Sequence, residues 1–411
     1  MKQISQNWRQ ILSIQIGGAI CLPVIMIGQM IGSELGLKLG FVALGIGNAF
    51  LLALSIPMAI ISYKKKKPTS EITQSFFGKK TSKLFSVIFS ITMLAWFSVQ
   101  LNLISISIIE VITLMHLNIH VNLILLNIVL GSIMSVAAIF GIKSLKVLAS
   151  LSVPILIGVL VYATISAPLP SFTMSSTSLK MASITTIIGA NIVAVIDMPT
   201  YFQYAKSKKD SLIASLVLFG LALPILECVG LYLGASVPKG SLLTALIANG
   251  SAIVGIFVGF FVIFAGWTTN NMNLYSGAIN SRGIFPNFSY KVRVLLIGFI
   301  ATIASCFSLI NHLSIILAIL GVSLSAIGAV CLTSYLMNFF LKSELVKSQQ
   351  TLNLIILLFS IIFGISTSFG LFTLTYLDVL DAFLIASILT IGARFIPYKS
   401  IKKERENETA I

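Results

Sequence analysis

Between positions 266 and 276 the chain reads GWTTNNMNLYS, with two threonines and three asparagines in the six residues from Thr268 to Asn273. They follow AIVGIFVGFFVIFA, a run with no polar side chain. Ala265, Thr268 and Thr269 fall at i, i+3 and i+4 and share one face of a helix, which offers two hydroxyls and a main-chain carbonyl together. Hard cations such as Na+ take oxygen ligands of this kind. The competing reading has each hydroxyl bonded back to its own i−4 carbonyl; it is weaker for a threonine pair beside an asparagine pair. A second pair, Trp96 and Gln100, stands four residues apart in another apolar run, so an indole face and an amide point into one space. One π-face and a few amide edges suit a flat heterocycle: aromatic–base stacking is worth about 1–3 kcal/mol. A site that hydrogen-bonds its ligand's edge also rejects analogues lacking those groups. Trp96 lies about midway along its run, which separates it from interfacial tryptophans.

Groups like these have to be carried to bilayer depth. Of 411 residues, 57% are hydrophobic and 9% charged, against about 25% charged in soluble domains, so the chain is a polytopic membrane protein. Twelve apolar stretches reach about 20 residues, running roughly 10–32, 39–62, 84–112, 121–141, 147–167, 183–204, 211–236, 251–278, 292–311, 313–341, 351–375 and 379–397. The first has no small-residue cleavage site and is not a removable signal. Taken in order, these spans put all but Lys38, Lys180 and Lys239 of the 27 lysines and arginines on one side. Cations are retained inside during insertion, so both termini are predicted cytoplasmic, and miscounting one span would scatter the charges. The KKKK run at 64–67 is a topology determinant beside anionic lipid. The net charge of +15 forms no basic stripe with interleaved aromatics, and nucleic acid is not an expected partner.

Spans one and six repeat a pattern. Ile16-Gly17-Gly18-Ala19-Ile20 precedes Pro23, and Ile188-Gly189-Ala190-Asn191-Ile192 precedes Pro199. Glycine and proline weaken the helical ladder, and backbone freed in a bilayer must face protein or a wet cavity. Interrupted helices at matching places in two halves point to an inverted-repeat carrier with a midplane site. The alternative is close helix packing through glycine.

Among ionisable groups at depth, Asp197 is either a gate or proton site or a residue reaching water near the inner end. Glu227 is either a proton-coupling acid or a protonated structural hydrogen bond. Glu110, Asp378 and Asp381 fall near span ends and are expected to be solvated. His116, His120 and His312 are too scattered for a metal site, and Cys21, Cys228, Cys306 and Cys331 read as small core hydrophobes. No HExxH, GxSxG or His-Asp cluster lies at bilayer depth, so the chain is not expected to be an enzyme.

The string WTTNNMNLYS resembles the span-eight motif of the nucleobase:cation symporter-1 family, nearest its cytosine-carrying branch. Ile46-Gly47-Asn48 in span two, Trp96-Phe97 in span three and a degenerate P-x-Y-x-Q-Y ending at Tyr204 agree in order and spacing. The resemblance implies an all-α, LeuT-type five-plus-five inverted repeat plus two C-terminal helices, in one transmembrane domain. Repeat one would cover about 10–167, repeat two about 183–341 and the extra helices about 351–397. It implies a cation held by the carbonyls of Gly17, Ile20 and Ala265 and the hydroxyls of Thr268 and Thr269. The base would stack on Trp96 near Gln100 and meet Asn270 or its neighbours, Asn273 among them. Two departures matter. Where family members carry a span-six aromatic, this chain has Gly189-Ala190-Asn191, so Asn191 would supply edge recognition instead of a second stacking face. Where the cytosine-carrying branch has a glutamine one turn before the tryptophan, Met93 stands here.

The expectation is a secondary active importer of a cytosine-like nucleobase or related small heterocycle in a bacterial inner membrane. It would work by alternating access and symport with Na+ or H+, with no other cofactor. The alternative is a LeuT-type carrier of another small solute, an amino acid or a thiamine-precursor pyrimidine.

Overall fold

The computed structural model describes residues 5–170, 178–237, 243, 252–307 and 313–396. Lys2, Lys239, His312 and the four cations beyond residue 396 lie outside them. The described residues are helical apart from short connections and one isolated bridge between Gln6 and Ala205. Eight of the helices are long and apolar enough to cross a membrane. The helices are α1 (Trp8–Ala19), α2 (Leu22–Lys65), α3 (Thr69–Phe77), α4 (Ser82–Leu114), α5 (Leu123–Ala138), α6 (Ile142–Ser166), α7 (Met181–Ile196) and α8 (Met198–Phe202). There follow α9 (Lys208–Val217), α10 (Leu223–Ser236), α11 (Ala252–Asn280), α12 (Tyr290–Ser305), α13 (Leu313–Leu341), α14 (Lys347–Ser368) and α15 (Asp378–Phe395).

At 44 residues α2 would be about 66 Å long if straight, twice the hydrocarbon thickness. It turns at Gly36, whose φ of 70° and ψ of −178° suit a residue without a Cβ. The part before Gly36 continues the first span and the part after it is the second. Each of the twelve predicted stretches therefore has a helix. Lys180, at the head of the sixth span, pairs with Glu34 just before this turn at 2.5 Å.

Two spans are interrupted. Between α1 and α2, Ile20 (φ −72°, ψ 77°) and Cys21 (φ −127°, ψ 155°) leave the helical region. The Cys21 N–H turns back to Ala19 O at 2.8 Å, so Gly17 O loses the partner a continuous helix would give it. In the sixth span the small-residue cluster is not the break: α7 runs unbroken through Gly189, Ala190 and Asn191, and the interruption comes at Asp197 (φ −88°, ψ 5°). The prolines explain the positions. Pro23 and Pro199 stand in the first turn of the helix after each break, where a missing N–H costs nothing. Proline alone does not suffice, because Pro57 and Pro154 lie inside continuous helices. The seventh span carries a third irregularity, a wide turn over Leu218–Ala222 that joins α9 to α10 just before Pro224.

The first and seventh spans meet backbone to backbone. A Cβ placed on Gly28 would lie 2.1 Å from Glu227 O, one on Gly32 2.1 Å from Leu231 O, one on Gly230 2.1 Å from Ile25 O and one on Gly234 2.0 Å from Gln29 O. Small residues four apart on both helices permit this approach. At the lysine-rich end, Gln6 is strapped to the loop after α8 by Gln6 N–H to Tyr204 O and Lys206 N–H to Gln6 O, each 2.8 Å. Against expectation, Asp381 is fully buried. It ties the α14–α15 connection by accepting from the N–H groups of Leu374 (2.8 Å) and Thr375 (2.9 Å) and from the hydroxyls of Thr367, Thr373 and Thr375. Asp378 is buried beside it, accepting from the Ser368 hydroxyl at 2.5 Å. Both carboxylates are structural staples because the connection's own amides and hydroxyls replace water.

Candidate functional site

A cavity of about 110 Å³ lies where the broken first span, α4, α7, α10 and α11 converge. One water needs roughly 10–15 Å³ on this measure, so the space admits a small organic molecule. Trp96, Ala190, Asn191, Asn273 and Thr269 line it, together with Met93, Gln15, Tyr201 and Asp197. Among the described residues, no lysine, arginine or histidine does so.

Trp96 presents its ring to the cavity, and its Nε1 is buried without a hydrogen-bond partner. Gln100 sits one turn further along α4, fully buried, with Nε2 and Oε1 both unpartnered. It backs onto α11 at Gly266, where a Cβ would come 3.3 Å from its Nε2 and 2.0 Å from Ile104. Gln100 is therefore behind the wall that Trp96 forms. Asn273 reaches the cavity with its Nδ2 braced on Asn270 Oδ1 at 3.3 Å. Asn270 is fully buried, its own Nδ2 directed to Phe97 O at 3.4 Å, so it supports Asn273 from the rear. Gly189 faces away: its Cα lies 3.0 Å from where a Cβ on Gly321 would stand, fixing α7 against α13.

The oxygens of α11 meet the first break as their spacing suggested, with one change of partner. The Thr269 hydroxyl stands 2.9 Å from Gly18 O and 2.9 Å from Ala265 O, and the Thr268 hydroxyl 3.0 Å from Ala265 O and 2.9 Å from Phe264 O. Gly18, rather than Gly17 or Ile20, supplies the first-span carbonyl bonded to the threonine. Its position was legible only as part of a glycine pair. The Met272 side chain occupies the space a Cβ on Gly18 would take, with Sδ 2.1 Å from it. Each threonine hydroxyl has one hydrogen for two carbonyls. Five oxygens, two hydroxyl and three carbonyl, thus crowd together with an excess of lone pairs, an arrangement that fits a small cation in chemistry.

Asn191 connects the cavity to Glu227. The Glu227 carboxylate is fully buried and accepts from Asn191 Nδ2 at 2.8 Å on Oε1 and from Asn48 Nδ2 at 2.5 Å on Oε2. The sixth-span break is held from the other direction. Asp197 Oδ1 accepts from the hydroxyls of Thr69 (2.9 Å) and Thr200 (2.7 Å) and from Asn280 Nδ2 (3.0 Å), while Oδ2 accepts from the Ser276 hydroxyl. Asn280 Oδ1 accepts the Ser70 N–H at 2.9 Å. Asp197 thereby pins α3, at the lysine-rich end, to α8 and the end of α11. Tyr201 also lines the cavity, donating its hydroxyl to Met272 O at 2.9 Å and packing at a tilt against Tyr275, with ring centroids 5.6 Å apart. Sequence reasoning missed Thr69, Asn280 and Tyr201; a threonine opening an amphipathic helix carries no signal that it serves a carboxylate 128 positions away.

The comparisons with known proteins follow this geometry. The family model described as permease for cytosine/purines, uracil, thiamine, allantoin matches residues 2–351. The cytosine permease of Escherichia coli (strain K12) is 24% identical over 340 residues, covering 78% of this chain and 78% of that protein. Among solved structures the chain is similar to Mhp1, described as a nucleobase-cation-symport-1 family transporter, in a closed conformation with bromovinylhydantoin bound. The TM-score is 0.76 at 17% identity, over 99% of this chain and 97% of that one. A Na+-coupled sialic acid symporter in a substrate-bound outward-open state gives 0.68 at 11% identity, over 96% and 91% of the two chains. These likenesses identify the LeuT-type fold, and the match over residues 2–351 makes this chain a member of the family of permeases for cytosine/purines, uracil, thiamine and allantoin.

Proposed function

We propose that this permease imports a nucleobase or a closely related planar heterocycle across a bacterial inner membrane, coupled to a monovalent cation, with both termini in the cytoplasm. The observation that carries the reading is Thr269. Its hydroxyl sits among the carbonyls of Gly18 and Ala265 and at the wall of the cavity that holds Trp96, Asn191 and Asn273. Cation and heterocycle would share that residue and would each favour the same closed arrangement of the first span on α11. Equal and reciprocal coupling between the two ligands follows.

In this mechanism the heterocycle stacks on Trp96 and exchanges edge hydrogen bonds with Asn191 and Asn273. The cation is held by Gly18 O, Ala265 O and the hydroxyls of Thr268 and Thr269, with Na+ favoured because these are neutral oxygens that do not themselves take up a proton. The first, second, sixth and seventh spans rock as one bundle against the third, fourth, eighth and ninth. Asp197 and its donors from α3, α8 and α11 act as the cytoplasmic gate. Asp197 in the cavity wall would repel a substrate carboxylate, whereas Trp96, Asn191 and Asn273 offer a flat face and amide edges, which favours a heterocycle over an amino acid.

The test is a thermal-shift and competition panel of pyrimidines, purines, hydantoins, thiamine precursors and amino acids on the purified full chain, in NaCl and in choline chloride. Stabilisation by a planar heterocycle that deepens with Na+ is expected. Stabilisation by amino acids alone, or by nothing in the panel under either salt, would sink the reading.

A further inference from the structure

Glu227 lies in α10, fully buried, and among the described residues no lysine, arginine or histidine is bonded to it. Its partners are two side-chain amides, one from α2 and one from α7. An ionised carboxylate only accepts, whereas an asparagine offers two hydrogens on nitrogen and lone pairs on oxygen. Both hydrogens of Asn191 Nδ2 are committed, one to Glu227 Oε1 at 2.8 Å and one to Ile187 O at 2.9 Å. Turning this amide over would set Asn191 Oδ1 against two acceptors, so the network itself fixes which end is nitrogen. Asn191 lines the cavity, and with both Nδ2 hydrogens committed its Oδ1 is the polar atom left to meet a ligand there.

We propose that Glu227 is a positioning residue that locks the Asn191 amide with its oxygen toward the cavity, so that the transported heterocycle must present an N–H at that edge. The proposal rests on the heterocycle reading above and adds the polarity of one edge. A ring nitrogen lone pair or a carbonyl at that edge would meet Oδ1 lone pair against lone pair, and an N-methyl group would meet it sterically. Ile187 O, a carbonyl the helix also uses for the Asn191 N–H, leaves the amide a single anchor once the carboxylate is gone. The far side of the carboxylate tells which replacement keeps the lock. Asn48 Oδ1 is buried with no partner, while Asn48 Nδ2 bonds Glu227 Oε2 and Leu44 O. A glutamine at 227 can therefore accept from Asn191 with its oxygen and donate its amide to Asn48 Oδ1, once Asn48 turns and releases Leu44.

The experiment measures binding of cytosine, uracil and each of their single N-methyl derivatives to the purified full chain. Wild type should prefer the parent over the derivative methylated at the matching N–H by about tenfold or more, in keeping with rejection by an unpaired polar site. Glu227→Ala should shrink that preference to below about threefold, and Glu227→Gln should retain it. In an Asn191→Ala background the preference is already gone, and adding Glu227→Ala should change nothing further. Glu227→Met, which fills the space without an acceptor, carries the same expectation should the alanine variant not fold. A preference retained in folded Glu227→Ala or Glu227→Met, or lost in folded Glu227→Gln, overturns the proposal. Wild type that binds the parents and their derivatives alike also overturns it while leaving the heterocycle reading standing. Wild type that binds no parent removes the heterocycle reading, and the proposal with it.

Discussion

The Thr269 hydroxyl and the Gly18 carbonyl oxygen lie 2.9 Å apart, joining the eighth span to the first where the first is unwound. A second carbonyl, from Ala265, is equally near that hydroxyl, which has a single hydrogen to give. Replacing the hydrogen bond with a cation satisfies all three oxygens at once. Thr269→Ala should therefore raise the Na+ concentration needed for half-maximal thermal stabilisation by about tenfold or more, equivalent to about 1.4 kcal/mol, while Thr269→Ser stays near wild type. An unchanged Na+ requirement in the alanine variant would place the cation elsewhere.

Trp96 provides the one large aromatic face among the residues of α4 at the cavity. Its removal should cost the heterocycle about 1–3 kcal/mol, a loss of roughly five- to 150-fold in affinity, with Trp96→Phe falling between. Cation affinity measured without substrate should be much less affected. Equilibrium competition with a labelled pyrimidine reads both. Loss of cation affinity as large as loss of substrate affinity would mean that the variant had disturbed the whole site.

The Asp197 carboxylate accepts from four side chains on three elements and has no cationic partner among its bonds. Asparagine would bring two hydrogens into a set of donors and keep one accepting oxygen. Asp197→Asn should loosen α3 from α8 and α11 and open the lysine-rich side. In a Ser70→Cys variant, alkylation at position 70, read by mass spectrometry, should speed up about tenfold when Asp197→Asn is added. Equal rates with and without it would show that this carboxylate is structural and holds no gate.

Gly230 faces Ile25 O with no room for a methyl group, whereas Gly158 has nothing within 4 Å of its missing Cβ. Overpacking of a well-filled contact costs about 1–3 kcal/mol even when side chains can yield, and here the obstacle is main chain. Gly230→Ala should lower the thermal midpoint by many degrees or prevent monodisperse purification, and Gly158→Ala should behave as wild type. A stable Gly230→Ala protein would show that the two helices stand further apart than described.

Much of the architecture was readable because membrane spans announce themselves by length and apolarity, and because lysines sort to one side. The threonine–asparagine string named a helix face, and a face is a local property. What escaped is partner choice over distance. Gly17, Gly18 and Ile20 are equally plausible carbonyl donors until the dihedral angles at Ile20 and Cys21 aim Gly18 O at Thr269. In the sixth span the small residues Gly189-Ala190-Asn191 suggest a break that the helix does not make; the proline two residues after Asp197 marks the real one, as Pro23 marks the first. The Gly28/Gly32 and Gly230/Gly234 pairs are four-residue repeats visible in the string, yet nothing in the string says that they face one another. The burial of Asp381 is not legible in the sequence, which shows the distance to the nearest loop but not the amides that the loop turns inward.

The glycine contact also restricts how the molecule can change shape. Carbonyls of α2 and α10 are seated in each other's hollows at four successive places, so neither helix can slip along the other by less than a whole turn. The pair must travel as a single strut. Flexing is left to the turn at Gly36, where the first span meets the second, and to the three places where winding fails inside a span: Ile20–Cys21, Asp197 and the wide turn at Leu218–Ala222. A strut flanked by joints transmits a tilt at one end of the barrier to the other without compressing anything between, which is how a cargo-sized movement can be relayed across the bilayer by helices that keep their own contacts intact.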